Sequence, residues 1–130
     1  MTMSRLGNPF VRALLGSPLH GLLSGSLILV TYTGRKTGRI FTIPVLYAGD
    51  TEELVVYVGH SPEKVWWRNL RGGAPVRVRV RGEMFAGTGT VTSGHPQVRE
   101  RYLARFPRAA KALAADPSPV FVRVDDLTPA

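Results

Sequence analysis

Seven consecutive residues, Thr33-Gly34-Arg35-Lys36-Thr37-Gly38-Arg39, put three cations and two glycines into one short stretch. Backbone amides in a glycine-bounded turn can converge on an anion while cationic side chains neutralise it. The stretch is not a P-loop, because Arg35 precedes Lys36 and no glycine stands where that motif needs its first one. A solvated basic hairpin has the same composition. A second candidate is Trp66-Trp67-Arg68-Asn69-Leu70. On a helix adjacent residues point about 100° apart, so one tryptophan can pack in the core while the other lies near a surface or ligand. Asn69 falls near the apolar side, and a buried amide needs partners from backbone or ligand. The third is the alternation of Val76, Val78 and Val80 with Arg77, Arg79 and Arg81. It reads as a strand with one apolar and one cationic face, either an edge-protecting solvated face or one that draws a polyanion.

Acid–base and metal chemistry have little to work with. His20, His60 and His95 are far apart with no carboxylates at ligand spacing, no cysteine is present, and no serine sits in a nucleophile-elbow sequence. An enzyme built from this chain would take its chemistry from a cofactor.

The elements that must position these residues are short. Leu27 to Thr33 is predicted as a strand, Ile40 to Ala48 as a second in which Pro44 demands an edge or a bulge, and Leu54 to Val58 as a third. Ser61-Pro62-Glu63 carries the marks of a helix start, predicting a mid-chain helix that ends at Gly72-Gly73 with Val65, Trp66, Asn69 and Leu70 facing inward. Val76 to Arg81 and Met84 to Val91 form a hairpin. Pro96 to Ala115 is an amphipathic helix broken at Pro107, and Val120 to Val124 is a last strand. Pro9, after Asn8, starts an N-terminal helix within a segment spanning residues 1–25 that packs on the barrel or touches a membrane surface. The expected fold is α+β: one domain over residues 1–130, a six-stranded, mostly antiparallel split β-barrel with an N-terminal, a mid-chain and a late helix.

At 130 residues, 44% apolar and 20% charged, the composition is that of a globular protein, and it excludes a disordered chain, a collagen-like repeat and a multi-pass membrane protein. Seventeen Lys and Arg against nine Asp and Glu leave +8, so an anionic partner is expected. The absence of cysteine suits the cytoplasm, where this chain is expected, in solution or peripheral to a membrane.

Leu29 to Gly38, then Pro44, then Trp66-Trp67-Arg68-Asn69-Leu70-Arg71 and Ala74-Pro75-Val76 resemble, in order, the phrases of the deazaflavin-dependent nitroreductase and quinone reductase family. The resemblance spans about residues 26 to 124. It implies a split barrel that binds coenzyme F420, a hydride carrier with a phosphodiester and an oligoglutamate tail. It places Lys36 at the phosphate or tail with Arg35, Thr37 and Arg39 beside it, Pro44 and Val45 at the ring system, and Trp66 and Asn69 along the cofactor groove. His60 stands at the loop nearest the ring. The chain departs from the family pattern at Phe41, where members carry an arginine, in the short stretch Gly59-His60-Ser61, and near Arg108 to Lys111, where alanines replace tyrosines.

The function expected from this resemblance is hydride transfer between F420 and an apolar quinone-like, nitro or unsaturated small molecule, by a monomer or homodimer. The alternatives are a non-catalytic F420-, lipid- or fatty-acid-binding relative near the membrane, and a split barrel that binds FMN. Nucleic acid is not an expected partner, since no reader motif accompanies the charge.

Overall fold

The computed structural model describes residues 27–93 and 95–130, so the predicted N-terminal helix lies outside the described residues. Seven strands form one sheet: β1 (Leu27–Thr33), β2 (Ile40–Leu46), β3 (Ala48–Gly49), β4 (Leu54–Val58), β5 (Ala74–Val80), β6 (Glu83–Ser93) and β7 (Val120–Pro129). Their order is β2-β1-β5-β6-β7-β4-β3, and every neighbouring pair is antiparallel. Two helices follow β6, α1 (Pro96–Arg105) and α2 (Ala110–Ala115), separated by a 3₁₀ turn at Pro107–Ala109.

The connectivity closes the barrel. β2 and β3 lie at opposite ends of the strand order, yet only Tyr47 separates them. Neighbouring Cα atoms are 3.8 Å apart, so the two sheet edges must meet there. The expected strand from Ile40 to Ala48 is therefore two strands, β2 bonded to β1 and β3 bonded to β4, with Tyr47 turned into the core. This gives seven strands where six were expected. β2 and β4 approach each other without forming a ladder, and this seam is the split. Strand direction alternates along the order, so β2 and β4 run in opposite directions. Ile40 and Phe41, at the start of β2, thus share an end of the barrel with Gly59 and His60, just past β4.

Side-chain alternation fills two cores. Ile28, Val30 and Tyr32 of β1, Val76, Val78 and Val80 of β5 and Leu54, Val56 and Val58 of β4 point into the barrel, while Arg77 and Arg79 are exposed as the period-2 pattern predicts. Val55 and Phe121 face outward beneath α1 and α2, against Val98, Tyr102 and Leu113. Burying each such Val, Leu or Phe side chain contributes about 1.5–3 kcal/mol. Glu53 also ties α1 to the sheet, through Arg101 Nη1 at 3.0 Å and Arg123 Nε at 3.4 Å. Among the described residues no helix is long and apolar enough to cross a membrane.

The mid-chain segment differs from the predicted helix. It is two 3₁₀ turns, Ser61–Glu63 and Trp66–Leu70, with Lys64 extended between them. An α-helix would give the Ser61 carbonyl to the Val65 amide. Instead that carbonyl accepts from the Lys64 amide at 3.1 Å and from the Trp67 indole Nε1 at 3.0 Å. With three residues per turn, Trp67 and Leu70 share the buried side, and Val65 is 67% exposed rather than inward. Leu70 can descend onto β6 because Gly89 lies beneath it: a Cβ there would stand 3.1 Å from Leu70 Cδ1 and 3.2 Å from Val76 Cγ1.

Candidate functional site

The basic turn joins β1 to β2. Its frame is set by backbone: the Gly34 amide donates to the Arg39 carbonyl at 2.7 Å, and the Gly38 amide, at φ +72°, donates to the Gly34 carbonyl at 2.9 Å. The Arg39 amide donates to Thr37 Oγ1 at 3.2 Å. Among the described residues the Lys36 and Thr37 amides donate to no protein atom, and the side chains of Lys36 and Arg39 make no ion pair. Two adjacent amides of this kind beside two cations are the donor types that an anion would use.

Asn69 anchors this turn. Its Oδ1 accepts the Arg35 amide at 2.8 Å, and its Nδ2 donates to the Trp66 carbonyl at 3.0 Å. The Arg35 guanidinium donates to the Arg68 carbonyl at 3.3 Å, and Arg68 Nη2 reaches the Pro62 carbonyl at 3.4 Å. The carboxamide therefore has protein partners on both atoms and holds two segments, distant in sequence, against each other.

Below the turn Tyr32, which the sequence reading did not single out, joins Phe41 and Trp66 in an aromatic group. Phe41 stacks on Tyr32 with ring centroids 5.5 Å apart and planes at 26°, and Trp66 lies 6.3 Å from Tyr32. Burial pushes the Tyr32 hydroxyl pKa above its ordinary value, so the ring stays neutral well into alkaline conditions. Register was the available clue: Tyr32 is paired with Phe41, Val30 with Ile43 and Ile28 with Val45, so all six face the same side. Arg68, whose carbonyl receives Arg35, was likewise overlooked.

The predicted site residues divide accordingly. Arg35, Lys36, Thr37 and Arg39 are exposed, and of these Arg35 reaches across to Asn69, which in turn bonds Trp66. Val45 lies on the inner face of β2, but Pro44 pairs with Leu29 on the opposite face, so the two cannot line one surface together. Pro44 stands on an edge strand, where its missing N–H is tolerated. His60 is exposed, takes a left-handed φ of 54°, and places Nδ1 3.9 Å from Glu63 Oε2. It lies at the same end of the barrel as Phe41, with no hydrogen bond or ion pair to the basic turn among the described residues. No group of three His, Cys, Asp or Glu among the described residues could hold a metal ion.

Comparison with known proteins agrees with this architecture. The F420-H2 dependent reductase FDR-A is 20% identical, with a TM-score of 0.58 over 77% of this chain and 94% of that one. A structure described as a domain-swapped dimer is 18% identical, with a TM-score of 0.60 over 96% of this chain and all of its own 100%. A NimC/NimA family protein from Clostridium acetobutylicum is 14% identical, with a TM-score of 0.55 over 90% and 88% of the two chains. At these identities the likeness is one of fold. No curated protein matches the chain. The profile of the F420H(2)-dependent quinone reductases matches residues 3–125, nearly the whole length. The chain belongs to the F420H(2)-dependent quinone reductase family, which makes it an F420-dependent reductase with the deazaflavin coenzyme F420 as its cofactor.

Proposed function

We propose that the turn at residues 34–39, the Trp66–Leu70 segment and the inner face of β2 together hold F420, and that the chain passes hydride from it to an apolar quinone-like, nitro or unsaturated acceptor. The observation that carries this reading is the pair of amides at Lys36 and Thr37 that donate to no atom of the described residues, beside Lys36 and Arg39, which make no ion pair among the described residues, next to the Tyr32–Phe41 ring pair. The donor set fits the group: amides and cations for a phosphodiester, rings and aliphatic side chains for a planar heterocycle. Among the described residues β2 pairs with no strand but β1, so we read its outer edge as the side that meets the heteroatoms of a ring lying in the split.

When bound, the coenzyme supplies a two-electron hydride. The chain's own residues bind and orient. Lys36 and Arg39 neutralise the phosphate, and Asn69 keeps the amides of the turn aimed by holding Arg35. Ile43, Val45, Phe41 and Trp66 border the ring and keep water from its reacting face, while Pro44 shapes the strand from behind. His60 stands at the mouth of the split, on the side from which an acceptor would approach.

The test is a fluorescence titration with F420, and FMN as the competitor reading. Lys36→Ala should weaken F420 binding by roughly 1–3 kcal/mol, the scale of a lost charge-assisted hydrogen bond. The difference should shrink as salt rises, because exposed charges are screened over about 8 Å at physiological ionic strength. Equal affinity of parent and variant would remove the turn from the site, and tighter binding of FMN than of F420 would overturn the assignment of this groove to F420. Oxidation of reduced F420 by a panel of quinones, nitroaromatics and enones then ranks the acceptor classes.

A further inference from the structure

β5 lies between β1 and β6 in the sheet, so the exposed Arg77 and Arg79 that it carries protect no sheet edge. Register sets Arg77 level with Thr31 and, through it, Thr42, and Arg79 level with Leu29 and Pro44. Val76, Val78 and Val80 alternate with them into the barrel. The coenzyme reading uses the inner face of β2, so the barrel wall stands between that face and these two arginines.

Charge is divided along the sheet as well. Residues 27–49 and 64–82, which form β1, β2, β5, the basic turn and the Trp66–Leu70 segment, carry nine Lys and Arg and no Asp or Glu. Every acidic side chain of the protein lies within 50–63 or from 83 onward. The three acid-free strands are neighbours at one end of the strand order. No ion pair among the described residues reaches any of these cations, and residues 1–26 contain no Asp or Glu to supply one. Arg35, Arg68 and Arg71 keep their charge while bonded to a carbonyl or stacked on Trp67, so this side of the barrel presents positive charge alone.

Charge of one sign on a low-dielectric wall raises the local concentration of an oppositely charged ligand and speeds its association. F420, with its phosphodiester and oligoglutamate tail, arrives as a polyanion. Resting on the F420 reading above, we propose that Arg77 and Arg79 are capture residues: from outside the groove they draw the coenzyme to the cationic side and speed its binding, and they do not touch it once it is bound.

The experiment is stopped-flow fluorescence on the parent and on the double variant Arg77→Gln and Arg79→Gln. At an ionic strength of about 0.01 M, where charges act over about 30 Å, the variant should associate with F420 at least about threefold more slowly. Its dissociation rate should stay within about twofold of the parent's, as expected when a charge steers without contact. The difference in association should vanish near 1 M salt, where the screening length is about 3 Å, and should be smaller for the deazaflavin chromophore lacking phosphate and tail. Arg77→Lys with Arg79→Lys keeps the charge and should associate at the parental rate. Far-ultraviolet circular dichroism checks folding, and the two single Gln variants repeat the comparison if the double one is not folded. Equal association rates for parent and Gln variant at low salt, a loss carried by faster dissociation, or a Lys variant as slow as the Gln variant would overturn this inference and leave the cofactor assignment standing. Failure of the parent to bind F420 would overturn both.

Discussion

Removing the carboxamide of Asn69 separates a residue that holds the site from one that touches the cofactor. Asn69→Ala deletes the acceptor of the Arg35 amide, at 2.8 Å, and the donor to the Trp66 carbonyl, at 3.0 Å. A typical protein hydrogen bond contributes a net 0.5–1.5 kcal/mol, and water can replace part of both bonds at this half-buried position, so the expected loss is about 1–2 kcal/mol. For a domain of this length each kcal/mol moves the midpoint by about 3–5 °C, which puts the drop for the cofactor-free protein at roughly 4–8 °C. The effect on binding follows from the turn. Freeing the backbone of one residue means that binding must order it again, at about 1–2 kcal/mol, so F420 affinity should fall about tenfold at a temperature where the variant is fully folded. Differential scanning fluorimetry without cofactor and a fluorescence titration with it measure the two halves. An unchanged midpoint with collapsed affinity would mean that the carboxamide serves the cofactor directly. A lowered midpoint with parental affinity would mean that the turn is not part of the site.

Two further perturbations test the support of the site. Leu70→Ala empties a fully buried position against Gly89 and Val76, and should cost about 2–5 kcal/mol by urea unfolding; a loss below about 1 kcal/mol would show that the Trp66–Leu70 segment is not anchored there. Tyr57 donates to Asp116 Oδ2 at 2.7 Å, and burial, reinforced by that carboxylate, pushes its pKa up to about 12. A tyrosine that holds its proton more tightly when folded contributes stability that is complete below its unfolded value near 10 and is lost as pH climbs towards 12. Thermal melts of Tyr57→Phe across that alkaline window should therefore decline less steeply than the parent. Some decline should remain, because burial raises the pKa of Tyr32 and Tyr102 as well. Parallel slopes for parent and variant would refute the assignment.

The strands were legible wherever one face was wet and the other dry. Val76 to Val80 alternates without a break because the arginine face of β5 is exposed, and Leu27–Thr33 has its predicted bounds; Leu54–Val58, covered on both faces, has them too, read from its unbroken run of Leu, Val and Tyr between turns. Tyr47 was not legible as a break. Nothing local distinguishes it from a strand residue, since the reason it leaves β2 is the meeting of two sheet edges that are far apart in strand order. The split of the late helix at Pro107 was local and therefore readable, because proline removes a donor and clashes with the preceding turn.

The site was half legible for the same reason. Glycines and cations in one short turn mark a candidate anion site in the sequence alone, because the amides and charges they supply lie within a few residues of one another. The partner segment could be read only if its helical period was known. Read at 3.6 residues per turn, Val65, Trp66, Asn69 and Leu70 face inward together. At the three residues per turn actually adopted, Trp67 and Leu70 are buried, and Trp66 and Asn69 swing to the side that meets the basic turn. The Trp67 indole takes the Ser61 carbonyl that an α-helix would give to the Val65 amide, a side-chain-to-backbone contact that hydrophobic periodicity does not register. That bond belongs to the same arrangement in which Asn69 reaches Arg35. Trp67→Phe removes that indole donor and keeps the bulk, so its effect should appear at the Asn69–Arg35 contact before it appears in the core.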